Sequence, residues 1–261
     1  MKQIGISSAC YYPELTELSL SKICDAGIPY AELFFNALSE LQPSFIDGLK
    51  QTLAGSATKL AAVHPFMSFT ESFFLFSSYE RRFFDMIDFY KRFFEITARL
   101  GANIFVIHGA KIPGSIEDRE YFERFAKLIE MGKEYGVAVC QENVVHHRSE
   151  SPEFLQSMRN YIGSDFNIVL DIKQARRAGF SPYDFISALA PAIRHVHISD
   201  YTDECDCVAP LSGKFDFKEL FTKMDAIHYN GAYIIELYRH SYSDEKEITD
   251  AYSGLSKILV E

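Results

Sequence analysis

The chain has 261 residues, 48% of them hydrophobic and 24% charged, with a formal net charge of −10 and a pI near 5.3. This length and unbroken composition suit an ordinary globular protein with a single domain over residues 1–261. The acidic balance, with no basic groove in view, excludes nucleic acid as an expected partner, and no apolar run approaches the roughly 20 residues that cross a membrane.

Short apolar runs alternate with longer stretches of helical spacing. Gln3 to Ser7 reads as the first strand, and MKQIGISSA enters it with no signal-peptide core. Leu15 to Ala26, stopped by Gly27, reads as a helix, Tyr30 to Phe34 as a second strand carrying Glu32, and Ser44 to Leu53 as a helix behind Pro43. Leu60 to His64 is the third strand. An aromatic-rich connection, PFMSFTESFFLFSS, follows it and leads to a helix over Tyr79 to Leu100. Asn103 to His108 is the fourth strand, followed by a helix over Asp118 to Tyr135. Val137 to Glu142 is the fifth, followed by a helix from Pro152. Asn167 to Asp171 is the sixth, followed by KQARRAG and a helix from Pro182 to Ala190. Arg194 to Asp200 is the seventh, ahead of a loop and a helix over Phe217 to Met224. Tyr233 to Glu236 is the eighth, ahead of a final helix to about Ile258.

Eight strands in strict alternation with eight helices, in about 250 residues, are the arithmetic of a closed (β/α)8 barrel. An open doubly wound sheet would carry a glycine-rich phosphate turn after its first strand, and SSACYYPE is not one.

The strands share an unusual ending. VAVCQE closes on Glu142, NIVLD on Asp171, RHVHISD carries His197 and YIIE closes on Glu236, while LAAVH and NIFVIH end on His64 and His108. Burying such groups at the end of an apolar strand costs several kcal/mol unless they are paired or coordinated, so one shared site is the economical explanation. Parallel barrels gather their strand ends on one face, which brings Glu142, Asp171, His197 and Glu236 together. Three carboxylates and one imidazole suit a divalent cation, with Mn²⁺, Mg²⁺ or Co²⁺ ahead of Zn²⁺.

The motifs AVHP, FVIHG, CQEN, VLDIKQ, HVHISDY, PLSGKFDF and IIELY, in this order, resemble the xylose isomerase-like TIM barrel superfamily of sugar isomerases and epimerases, which also holds the endonuclease IV type of repair enzyme. The resemblance covers almost the whole chain. It implies one metal ion held by Glu142, Asp171, His197 and Glu236, with the two glutamates also the acid/base pair, as in the family's ketose epimerases. A metal-dependent isomerase or epimerase of a sugar, sugar phosphate or polyol is then expected, moving a proton next to a carbonyl through an enediolate.

Other residues carry secondary roles in this reading. His64 and His108 would bind substrate hydroxyls, hold a second metal, or support the site as a polar network. Lys173, two residues past Asp171, would share its face in an extended segment and hold a substrate oxygen or neutralise the acids. Arg239 would stand as a solvated charge or clamp a phosphate or carboxylate, and the other loop residues His146, His147, Arg148, Tyr238 and His240 would decide substrate choice. Gln174 stands where many relatives place a histidine. His195 is expected on the opposite side of its strand from His197, in a structural role. The phenylalanines between Phe66 and Phe76 would form a lid, core or a dimer contact, and phenylalanine-rich helices fit a homodimer. Five cysteines, an odd number without zinc-ribbon spacing, fit a reducing cytoplasm. Two other readings stay open: an endonuclease IV-like phosphodiesterase, against which Gln174 and the absence of Asp-x-His after HISD count, and a barrel that binds a small ligand without turnover.

Overall fold

The computed structural model describes residues 3–259. Strands β1 (Gln3–Ser7), β2 (Tyr30–Phe34), β3 (Lys59–His64), β4 (Ile104–Ile107), β5 (Ala138–Glu142), β6 (Asn167–Asp171), β7 (Ile193–Ile198) and β8 (Ala232–Ile235) are parallel and close in sequence order, β8 pairing with β1. Around them lie α1 (Thr16–Asp25), α2 (Pro43–Ala54), α3 (Glu71–Phe74), α4 (Glu80–Arg99), α5 (Asp118–Glu134), α6 (Pro152–Ile162), α7 (Ile172–Arg177), α8 (Pro182–Leu189), α9 (Phe217–Ala226) and α10 (Lys246–Ile258). The expected (β/α)8 TIM barrel is the observed one, and no described helix is long and apolar enough to cross a membrane.

The sequence reading differs from the structure at the loops. Lys173 to Arg177 of KQARRAG, a segment given no helix by the sequence, lie in α7, because Asp171 Oδ1 accepts from Gln174 N at 2.8 Å and starts a helix directly after β6. The aromatic connection after β3 contains a 3-10 turn over Phe66–Thr70 and the short helix α3. Strands β4 and β8 stop one residue short of His108 and Glu236, which therefore stand on the first residue past the ladder.

Alternation places the chemistry. Side chains two residues apart on a strand share a face, so the residue beneath each strand-end group points the same way. Ala62, Val106, Cys140 and Val169 pack together as a small apolar cluster, and two residues above them come His64, His108, Glu142 and Asp171. The opposite faces of the strands meet the helices: Phe105 of β4 packs against Tyr90, Phe93 and Phe94 of α4 at ring-centroid distances of 5.1–5.7 Å. Phe93 and Phe94 are thus barrel-to-helix core, Phe83 is buried beside Arg124 of α5, and in α4 only Phe84 stays exposed among the phenylalanines that suggested a dimer face.

Candidate active site

Each site residue is held by a local device. In β5, Gln141 faces the helices, accepting from Tyr121 Oη at 2.6 Å and donating to the carbonyls of Ile107 and His108, which fixes the end of β5 to the end of β4. Asn143 pairs with the backbone of Asp171, its Oδ1 accepting from Asp171 N at 2.7 Å and its Nδ2 donating to Asp171 O at 3.0 Å. The CQEN and VLD motifs are tied together by this amide. Asp171 caps α7 with Oδ1 and turns Oδ2 to the barrel axis.

The four strand-end groups converge. His197 Nδ1 lies 3.3 Å from Glu142 Oε1, 3.6 Å from Glu236 Oε2 and 3.9 Å from Asp171 Oδ2, and one ligand atom from each residue falls within 4.8 Å of all the others. Glu142, Asp171 and His197 are buried, whereas Glu236 is 15% exposed and faces the opening. A second trio shares Glu142: His108 Nε2 stands 2.9 Å from Glu142 Oε2 and 2.9 Å from His64 Nε2, and all three groups lie within the same 4.8 Å limit. His64 Nδ1 is directed at Pro65 O at 3.2 Å, and its ring stacks on Phe34 with centroids 4.7 Å apart.

Electrostatics show how strongly the acids lean on cations. Burial raises the carboxyl of Glu142, but His108 and the hydrogen bonds to the surrounding imidazoles outweigh it and hold it well below the usual range. Burial pushes Asp171 up to about 6, with Lys173 opposing and Glu142 and Glu236 adding to the rise. For Glu236 burial is outweighed by Lys173 and His197, which lower it. Burial lowers both Lys173 and His197, yet the surrounding carboxylates raise each well above its ordinary value. Lys173 Nζ is 3.0 Å from Glu236 Oε2, 3.4 Å from Asp171 Oδ2 and 4.6 Å from the Tyr238 ring centroid.

Two buried carboxylate oxygens, Glu142 Oε2 and Asp171 Oδ2, make no aligned hydrogen bond. Both belong to the four-residue cluster. Buried, acceptor-rich oxygens without an aligned donor fit a divalent cation, which would take the lone pairs that the neighbouring imidazole and ammonium groups approach but do not align with. Above the cluster opens a cavity of about 600 Å³, with Glu142, Glu236, His64 and His108 in its lining and Tyr12, Phe34, Phe66, Phe69 and Tyr238 as aromatic surfaces. That volume suits a small molecule.

The profile of the Xylose isomerase-like TIM barrel family matches residues 20–258. The chain belongs to this family. Among solved structures, one titled a D-tagatose 3-epimerase-like protein is 21% identical, with 99% of this chain and 97% of the other covered at a TM-score of 0.84. D-psicose 3-epimerase from Clostridium cellulolyticum H10 is 17% identical, with 99% of both chains covered and a TM-score of 0.82. The IOLI protein solved with a zinc atom is 18% identical, with 98% of both chains covered and a TM-score of 0.79. Comparison with curated protein sequences gave no match.

Within this family barrel the remaining sequence expectations separate. Lys173 reaches the acids from the first turn of α7 and not from an extended segment, because Asp171 starts a helix there. Arg239 lines the cavity, with Nη1 donating to Tyr242 O and the guanidinium 4.8 Å from the Tyr242 ring. Gln174 also lines it, and its Oε1 accepts from Val145 N. His147 and Arg148 instead hold the loops: His147 Nδ1 faces Val145 O, burial lowers the His147 imidazole to about 4, and Arg148 binds Asp118 and the Ile116 carbonyl. Cys205 Sγ donates to Cys207 O, and neither cysteine joins a metal-competent group among the described residues.

The expectation for His195 is overturned. His195 and His197 are two residues apart, so they share the inward face, and Nε2 of each lies 2.9 Å from the same oxygen, Glu32 Oε2. Glu32 carried no role in the sequence reading, although a fully buried acid inside YAELF is the same costly signal that singled out the strand ends. Glu71 was missed too. It is buried, accepting from Gly109 N at 2.5 Å and Tyr90 Oη at 3.0 Å, and it pins the aromatic segment to the end of β4. Gly109 serves there with φ +81°, and a Cβ on it would collide with Tyr121 Oη. Within that segment Phe76 is buried and stacks on Tyr121, whereas Phe69 and Phe73 are exposed.

Proposed function

We propose that the protein is a divalent-metal-dependent isomerase or epimerase of a sugar or polyol. The observation that carries this reading is the convergence of Glu142, Asp171, His197 and Glu236 at the floor of an aromatic-walled cavity. The names of the similar structures, D-psicose 3-epimerase and L-ribulose 3-epimerase among them, support it. When bound, the ion supplies Lewis acidity, polarising a carbonyl so that the neighbouring C–H can be deprotonated to an enediolate.

The chain's own residues do the rest. Glu142 and Glu236, from β5 and the end of β8, flank the floor and serve as base and acid, one taking the proton and the other returning it. Return to the same carbon on the opposite face gives epimerisation, and return to the adjacent carbon gives aldose–ketose isomerisation. Lys173, fixed between Asp171 and Glu236, offsets part of the acid charge. His64 and His108 offer nitrogens to substrate hydroxyls, Arg239 stands at the rim, and the aromatic walls cover the apolar face of a sugar ring and exclude water.

A second reading is favoured by the other trio. His64, His108 and Glu142 also converge within ligand distance, and a two-ion centre sharing Glu142 would suit phosphodiester hydrolysis. One experiment separates the two. Metal content is measured on protein purified without chelator and again after Mn²⁺ loading, and the loaded protein is incubated with ketohexoses in D₂O and, separately, with a phosphodiester. One ion per chain with deuterium entering the carbon next to the carbonyl supports the isomerase/epimerase. Two ions with phosphodiester cleavage supports the hydrolase. A protein that binds no ion after loading overturns both.

A further inference from the structure

The centre has a buried support that lies outside the residues proposed to hold the ion. Glu32, in the middle of β2, is fully buried with both its oxygens engaged. Oε1 accepts from Ser7 Oγ of β1 at 3.0 Å, and Oε2 faces His195 Nε2 and His197 Nε2 of β7, each at 2.9 Å. The two imidazoles meet edge to face with centroids 5.2 Å apart, so both reach one oxygen from different directions. His197 turns its other nitrogen, Nδ1, to Glu142, Glu236 and Asp171.

From this arrangement we infer that Glu32 is a positioning residue, which fixes His197 as the Nε2–H tautomer so that the Nδ1 lone pair is aimed at the ion. An ionised carboxylate only accepts hydrogen bonds, so whichever imidazole nitrogen faces it must carry the proton. With an ion in place, Nε2 keeps its proton on Glu32, so the nitrogen that gives its proton up is the one aimed at the acid cluster. A carboxylate behind a ligating histidine holds the ring orientation and raises its basicity. His195 and Ser7 keep Glu32 itself in place, since a buried carboxylate without donors on both oxygens would carry a large desolvation cost.

Glu32, His195 and His197 also satisfy the distances for a metal group of their own. The hydrogen-bonded account is the better one. His197 would have to lose both ring protons to give Nε2 to one ion and Nδ1 to another.

The inference rests on the metal-dependent reading above, and its test keeps the two apart. Wild-type protein and Glu32→Gln, both labelled with ¹⁵N-histidine, are titrated with Zn²⁺ against a competing chelator, and long-range ¹H–¹⁵N spectra are recorded on the Zn²⁺-loaded forms. Wild type is expected to show His197 protonated at Nε2 with Nδ1 on the metal. Glu32→Gln is expected to bind Zn²⁺ about 10–100-fold more weakly, with that tautomer pattern lost. Should Glu32→Gln fail to fold, Ser7→Ala removes only the donor to Oε1 and is expected to give the same changes to a smaller degree. Wild-type protein that binds no Zn²⁺ overturns the metal reading and this inference with it. Wild-type binding matched by equal affinity and an unchanged His197 pattern in the variants overturns the inference alone.

Discussion

Lys173 Nζ lies 3.0 Å from Glu236 Oε2, so the cluster of acids carries its own cation within the protein. The lysine is buried, and its other neighbour, Asp171 Oδ2, is 3.4 Å away. Removing one partner of a buried ion pair leaves the other charges uncompensated, at a cost of about 3–5 kcal/mol. Lys173→Met should therefore lower the thermal midpoint of the metal-free protein. Added Mn²⁺ should raise that midpoint by more than it does in wild type, because an ion bound only by the folded state stabilises it. Differential scanning calorimetry with and without Mn²⁺ checks both parts, and an unchanged midpoint would refute the counter-ion role.

Asp171 does two jobs with two oxygens, which substitutions can separate. Asp171→Asn keeps a capping oxygen for Gln174 N but removes the charge aimed at the centre. This variant is expected to fold with near wild-type stability and bind metal weakly. Asp171→Ala should bind metal as poorly and lose about 1 kcal/mol more through the missing cap. Urea unfolding beside metal titration reads the two effects independently.

Glu71 makes stability depend on pH. Burial, only partly opposed by the Gly109 N–H and the Tyr90 hydroxyl, pushes its carboxyl from an ordinary 4.5 to about 8. The folded protein keeps this proton over a range in which the unfolded chain has released it. The contribution is fully present below about 4.5 and is lost as pH rises through about 8, with a slope of at most about 1.4 kcal/mol per unit. Glu71→Gln should flatten this fall, and denaturation curves of both proteins from about pH 5 to 9 test it. Parallel curves would show that Glu71 is ionised throughout.

Phe69 is 69% exposed and lines the cavity, so it can serve substrate without serving the core. Phe69→Ala should leave unfolding free energy within about 0.5 kcal/mol of wild type. Loss of its apolar contact, on the order of 1.4 kcal/mol, should lower kcat/KM roughly 10-fold. Steady-state kinetics with a sugar on which the proposed activity is detected gives the answer. A destabilised variant with normal kcat/KM would make Phe69 a packing residue.

The barrel and the clustering of the acids could be read in the sequence because both are written in local patterns. Strand and helix periodicities differ, and alternation along a strand puts every second residue on the barrel axis, so Glu142, Asp171 and His197 at strand ends announce a common face. Their union within 4.8 Å needs only the closure of parallel strands. What the tertiary structure decided are contacts between groups far apart in the chain. Glu32 meets His195 and His197 across more than 160 residues, Glu71 meets Gly109 across 38, and His64 meets His108 across 44. A lone buried acid in an apolar strand shows that a partner must exist, because desolvation demands one. It does not say which. That choice is made when the barrel closes and brings β2 opposite β7, a relationship that no local pattern in either strand carries.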